Sequence, residues 1–279
     1  MLHRPVSGLA GIVVLLCCAA AAQAQEFRVY TQLTDARHTA QGGEHRHPRG
    51  RSTSLFHAGR VYDWIDAAGN QITIFEPAHQ RFVIIEESTR RSAIVSFEYI
   101  DRCIYQAAAR AREYIDRERQ NPSEGARVEF FEFQRDPKFK ESFDESERVL
   151  TLGSKWLTYE VKCAAHESPE VIKGYLDYAD WLARLNFVIQ PQALFPGPRL
   201  ALDEALRRRG LLPVEVMLRS ANGNGLQLRA EHRFDWKLDN TDREMIRDAD
   251  ALMLSRTIKQ VPLEKLLPPV AGKRPQEHK

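Results

Sequence analysis

Leu226–Leu238 reads LQLRAEHRFDWKL. The alternation is unbroken. Leu226, Leu228, Ala230, His232, Phe234, Trp236 and Leu238 fall on one side of an extended chain, with Gln227, Arg229, Glu231, Arg233, Asp235 and Lys237 on the other. Successive side chains of a strand point to opposite faces, so this is the period of a sheet with one wet face and one buried face. A strand of this length, at ~3.3 Å per residue, extends ~43 Å and has to curl or carry a bulge within a domain of ordinary size. The turn Asn222-Gly223-Asn224-Gly225 joins it to VEVMLRS (Val214–Ser220) as a long hairpin.

The same period recurs upstream. FRVYTQL (27–33) is a first strand, followed by a Gly- and His-rich polar stretch. STSLFH (52–57), RVYDWI (60–65), QITIFE (71–76), RFVIIE (81–86) and RRSAIV (90–95) then follow with short turns between them. Connections this short make antiparallel neighbours, because a parallel crossover needs about a dozen residues or more. RVLTLG (148–153) and KWLTYEVKCA (155–164) form a further hairpin. The charged, Phe-rich segment 127–147 fits either a strand or a loosely docked loop.

Four helical patterns interrupt the strands. Ser96 caps the first, whose Ile100, Cys103, Ile104, Ala107, Ala108, Ala111 and Ile115 recur at helical spacing. Ser168 and Pro169 open the second, with Ile172, Tyr175, Leu176, Ala179, Leu182 and Ala183 as its apolar face. After the proline-broken NFVIQPQALFPGP comes PRLALDEALRRRG, stopped by Gly210. Thr241 with Glu244 predicts a capping box for the last helix, which turns Met245, Ile246, Ala249, Leu252 and Met253 inward. The predicted fold is α+β: a strongly curved antiparallel sheet (a half-barrel) of roughly ten or eleven strands, covered on its concave face by three or four helices.

Composition bounds the setting. His3 and Arg4, the apolar run LAGIVVLLCCAAAA and Ala22-Gln23-Ala24 have the three-part pattern of a signal peptide over 1–24, implying export to the periplasm or beyond. Leu16 occupies the place where lipidation of Cys17 would want a small residue, so lipidation is the minor reading. One domain is expected over 25–256 and a disordered Pro- and Lys-rich tail over 257–279. Without Arg4 the 40 Lys and Arg of the chain leave a net charge of +1 against 38 Asp and Glu. That balance lacks the clustered positive charge nucleic acid requires. No later segment has the length and apolarity of a membrane span. Cys103 and Cys163 survive processing without a C-x-x-C. Both fall on apolar faces, and an oxidising compartment favours a helix-to-sheet disulfide between them.

The opening FRVYT, the meander FHAGRVYDWI…ITIFEPAHQRFVII, the long final hairpin and the intervening helices together resemble the periplasmic lipoprotein-carrier (LolA/LolB-like) half-barrel family. FHAGRVYDW, TIFEPAHQRFV, ADWLARLN and EHRFDWKL also look like a group of uncharacterised secreted proteins of planctomycete-type bacteria. The carrier resemblance implies a curved sheet lidded by helices, with a gap between them that takes lipid acyl chains. It transfers no functional residue to a numbered position here.

The residues support no catalytic assignment. There is no G-x-S-x-G, H-E-x-x-H or phosphate loop. His38, Glu44, His45 and His47 lie in a Gly- and Arg-rich stretch, poorly suited to the rigid placement metal ligands need. Asp177 with Asp180, and Glu76 with Glu86 and Glu87, read as solvated carboxylates; Tyr175, Tyr178 and Trp181 read as packing. His232 reads first as a hydrogen-bonded core histidine and second as a polar anchor at the bottom of a pocket. The expected site is therefore an apolar cleft with neither metal nor cofactor. It is lined by His232, Phe234 and Trp236 and gated by Phe187, Leu194 and Phe195. It would hold a lipid or a lipoprotein acyl chain. The other reading is a secreted structural or protein-interaction domain with a filled core, which meets a protein partner.

Overall fold

The computed structural model describes residues 26–36, 48–66, 71–121, 123–190, 194–220 and 226–267. Twelve strands among these form one sheet with the order β12-β6-β5-β4-β3-β2-β1-β11-β10-β9-β8-β7. The meander β1 (Phe27–Asp35), β2 (Pro48–His57), β3 (Arg60–Ile65), β4 (Gln71–Glu76), β5 (Arg81–Glu86) and β6 (Arg91–Ser96) makes one half. The other half is β7 (Lys140–Asp144), β8 (Val149–Gly153), β9 (Leu157–Ala165), β10 (Leu211–Ser220) and β11 (Gln227–Asp235). The halves join where β1 pairs antiparallel with β11. Only β12 (Lys259–Gln260) is parallel, on the outer edge of β6. The sheet is not closed into a barrel, since β7 and β12 are its two ends.

Cross-strand partners share a face, which lets each side be followed across the registers. Phe27, Phe56, Val61, Phe75, Phe82 and Val95 are successive partners on a first face. Helices α1 (Phe97–Glu118), α3 (Pro169–Ile189) and α4 (Gly197–Arg209) contribute Ile100, Leu176 and Leu202 to the same buried cluster. Each of these three side chains is fully buried, a contribution of about 1.5–3 kcal/mol apiece relative to exposure. Leu55, Tyr62, Ile74 and Val83 partner one another on the second face. Ile246 and Ala249 of α5 (Asn240–Leu254) join that second cluster. Three helices thus share the first face, within the three or four expected on one side, and α5 packs on the other. β3, β4 and β5 carry apolar residues on both faces, and α5 covers the second.

Several local expectations hold. The Ser96 hydroxyl accepts from the Tyr99 amide at 3.1 Å, Ser168 caps α3 with Pro169 at its start, and Gly210 ends α4 at φ 64°. Others change. The capping box of α5 is Asp239 with Asp242, not Thr241 with Glu244. Segment 127–147 divides into α2 (Gly125–Arg135) and then β7. The tail expected from 257 instead supplies β12 and α6 (Leu263–Leu266), with Leu263 in the first-face cluster. This raises the strand count above the predicted ten or eleven.

The long alternation of Leu226–Leu238 stops short of its sequence pattern, because β11 ends at Asp235. The chain turns there toward α5. Trp236 is left 45% exposed, and Leu238 is buried in the second-face cluster. The anticipated disulfide is also absent: Cys103 and Cys163 are free thiols. Cys103 belongs to α1, which packs on β6 and α3, whereas Cys163 sits on β9, and seven strands lie between β6 and β9. Among the described residues no helix is long and apolar enough to cross a membrane.

Candidate functional site

α3 and α4 do not lie flush on the first face where it crosses β11, β1, β2 and β3. A cavity of about 460 Å³ remains between them. Its helix side carries Ala179, Leu182 and Ala183 of α3, then Phe187, Leu194 and Phe195 at the connection to α4. That connection is pinned from behind by α2. The Gln134 side-chain oxygen accepts from the Phe195 amide at 3.0 Å. A Cβ on Gly197 would lie 2.3 Å from the Gln134 carbonyl oxygen, so only glycine permits this approach.

Tyr178, Asn186 and Gln190 add polar groups on the helix side, and the sheet side adds more. Thr31 is the register partner of both His232 and Ser52, and Ser54 partners Asp63, which in turn partners Thr73. Two adjoining rows of polar side chains therefore cross an otherwise apolar face. Thr31 Oγ1 is 2.9 Å from His232 Nδ1. Ser54 Oγ donates to Asp63 Oδ1 at 2.6 Å. Burial pushes the Asp63 carboxyl up to about 7, against hydrogen bonds that favour its ionised form. His232 moves the other way: burial first, then the nearby Arg199 charge, depress its imidazole to about 3, so it is neutral. The Arg199 guanidinium, at the start of α4, lines the cavity and is held from behind by Asp203, with Nε 3.0 Å from both carboxylate oxygens. Burial raises Asp203 to about 6 while Arg199 opposes the shift, so the pair is ionised at neutral pH. Two polar atoms in these walls, Tyr178 Oη and His232 Nε2, are shielded from water and make no hydrogen bond of ordinary geometry among the described residues.

No family model and no curated protein matches this chain. The site is therefore read from its own geometry. Of the residues expected to form a cleft, His232, Phe187, Leu194 and Phe195 do come together around the cavity. Phe187 and Phe195 stack at 4.7 Å. Phe234 and Trp236 are not among its walls. Phe234 packs edge-on to Tyr175 at 5.3 Å, and Trp236 stacks on Phe234 and lies 4.2 Å from the His166 ring. Tyr175, itself in the cavity wall, is the ring that Phe234 meets.

Sequence reasoning missed Asp63, Ser52, Ser54, Thr31, Tyr178 and Arg199. Their signal was present as polar residues at inward parity: Thr31 between Val29 and Leu33, Ser54 beside Phe56, and Asp63 between Val61 and Ile65. Glu76, expected to be solvated, is 1% exposed and paired with Arg60 at 3.1 Å and Arg81 at 2.7 Å. Asp177 and Asp180 share Arg207 and are not among the cavity's walls, and one carboxylate oxygen of Asp180 is buried. Among the described residues no cluster of His, Cys, Asp or Glu could hold a metal ion. The stretch with His38, Glu44, His45 and His47 lies outside the described residues.

Proposed function

We propose that this protein is an exported, non-catalytic carrier or sensor that holds a hydrophobic ligand between the first sheet face and α3–α4. The observation that carries the reading is the cavity, whose 460 Å³ lies within the roughly 300–1,000 Å³ of small-molecule sites. Its lining is mainly apolar, with a few polar groups: Tyr178 and Arg199 from the helices and Thr31, Asp63 and His232 from the sheet. Each buried methylene of a ligand gains ~0.8 kcal/mol, before ordering costs are subtracted. On this reading the sheet bends around α1, α3 and α4 as a half-barrel of the lipoprotein-carrier kind. Twisted sheets with this many strands tend to curl, which supports that shape. Residues 1–24 would direct export to the periplasm, and the ligand would be a lipid or a lipoprotein acyl chain.

A second reading, a secreted interaction domain with a filled core, draws on the opposite half of the same face. There Phe75, Phe82, Phe97 and Trp181 pack ring against ring, with Phe97 and Trp181 stacked at 3.6 Å. The two readings separate on binding. Delipidated protein titrated with the neutral apolar dye Nile red should show saturable fluorescence enhancement, abolished by Leu194→Glu with Phe195→Glu. An absence of saturable binding by the folded wild type would leave the interaction domain as the surviving reading.

A further inference from the structure

We infer that the cavity takes a neutral ligand, one that presents a hydroxyl or carbonyl group to Tyr178 and His232 and an apolar body to Leu182, Phe187 and Leu194. This rests on the cavity being a binding site, as proposed above. Both walls are mixed. Leu182, Ala183, Phe187 and Leu194 supply apolar surface, while Tyr178 and Arg199 of the helices join Thr31, Asp63 and His232 of the sheet as polar groups, so an occupant meets both apolar surface and polar atoms. Tyr178, only 3% exposed, ends in a hydroxyl beside Asp63 and Ser54 that makes no hydrogen bond of ordinary geometry, and His232 Nε2 likewise makes none. A buried polar group without a partner is costly, and groups of this kind in native proteins are normally met by water or ligand.

Charge decides which ligand. Arg199 is the interior cation of the described lining, and Asp203 already grips it through two carboxylate oxygens. Asp63 adds an acid on the opposite wall. The depressed imidazole of His232 stays uncharged in this space, and Asp63, where it ionises, adds a negative charge. A carboxylate or phosphate carried inside would lose its hydration with no free cation to receive it. At the rim it would meet exposed Arg51, where ion pairs in water contribute little. A hydroxyl or carbonyl pays a far smaller desolvation cost and can bond to Tyr178 Oη and His232 Nε2.

The test is competition against Nile red with two ligands of equal chain length, dodecan-1-ol and dodecanoate, at about pH 8, where a carboxylic acid in water is ionised. The alcohol should displace the dye at a concentration lower by about tenfold or more, the worth of one buried hydrogen bond against an unpaired charge. Tyr178→Phe removes a hydroxyl of the cavity wall, so its fold is checked by its urea-unfolding midpoint and its effect is read as the ratio of alcohol to dodecanoate affinity. It should weaken the alcohol by about fivefold and leave dodecanoate unchanged. Equal or tighter binding of dodecanoate by wild type would overturn the inference and assign the head group to Arg199 or Arg51. A Tyr178→Phe protein with an unaltered preference would overturn the role of that hydroxyl. Failure of Nile red itself to bind would instead count against the cavity as a site of any kind.

Discussion

Asp63 shows how one residue can work against the fold that contains it. It is 3% exposed in the middle of an apolar face, and its carboxyl is raised from 3.8 to about 7. Between those values the folded state holds a proton that the unfolded state releases, so this group's contribution is present below about pH 4 and is lost as pH rises toward 7. Asp63→Asn keeps an acceptor for Ser54 and removes the ionisation. Its chemical-denaturation midpoint should exceed that of wild type at about pH 8, by on the order of 2 kcal/mol, with the difference vanishing near pH 4. A wild-type midpoint that falls no faster than the variant's between these pH values would show Asp63 to be solvated. At the end of β11 two large apolar residues that the alternation places on one face part company. Leu238 is 7% exposed and Trp236 45%. Leu238→Ala should therefore cost about 2–4 kcal/mol and Trp236→Ala only about 1–2, both read from urea unfolding.

At the level of elements, the cavity depends on how α4 is held. α2 supplies Gln134, whose side chain receives the Phe195 amide and whose backbone oxygen abuts Gly197. Gly197→Ala drives a methyl group into a carbonyl oxygen and has to displace the start of α4, carrying Phe195 and Arg199 with it. The expected cost is about 1–3 kcal/mol of stability. Nile red affinity should fall further than in Arg135→Ala, a substitution at the end of the same α2. A Gly197→Ala protein with wild-type dye affinity would show that the connection moves independently of α2. On the other face α5 is tied to the sheet by charge as well as by packing. Arg28 reaches Asp235 at 2.8 Å and Asp242, the second member of the capping box, at 3.0 Å.

For the whole molecule the decisive contacts are distant in sequence. Thr31 and His232 are 201 residues apart yet lie on paired strands, and closing such a loop carries an entropic cost that makes sheets of this kind slow to form. The outer edge of β6 is covered by the last described segment. The Lys259 amide donates to the Arg90 carbonyl and the Val261 amide to the Ser92 carbonyl, both at 2.8 Å, while Leu263 is buried below. Truncation after Ile258 uncovers that edge and removes a core side chain. The shortened protein should lose about 2–4 kcal/mol and self-associate through the free strand, which sedimentation would detect. A monomer of wild-type stability would show that β12 and α6 are dispensable.

Much of this architecture was legible in the chain itself. Period-two patterns, short turns and capping residues are local physics, so the meander, both later hairpins, the start of α1 and α3 and the stop at Gly210 follow from neighbouring residues alone. That Phe187, Leu194 and Phe195 would need burial was legible too, as apolar residues in a proline-broken stretch, and all three line the cavity. Thr31, Ser52, Ser54, Asp63 and His232 each appear in the sequence as single polar intrusions at inward parity, ordinary when taken singly. Register aligned them into rows, and register belongs to pairs of strands far apart in the chain. The same holds for α5. Its apolar stripe demands a partner without naming which sheet face supplies it, and the turn after Asp235 chose the face opposite α3. Local interactions set the elements, and long-range packing decided which polar groups share a cavity.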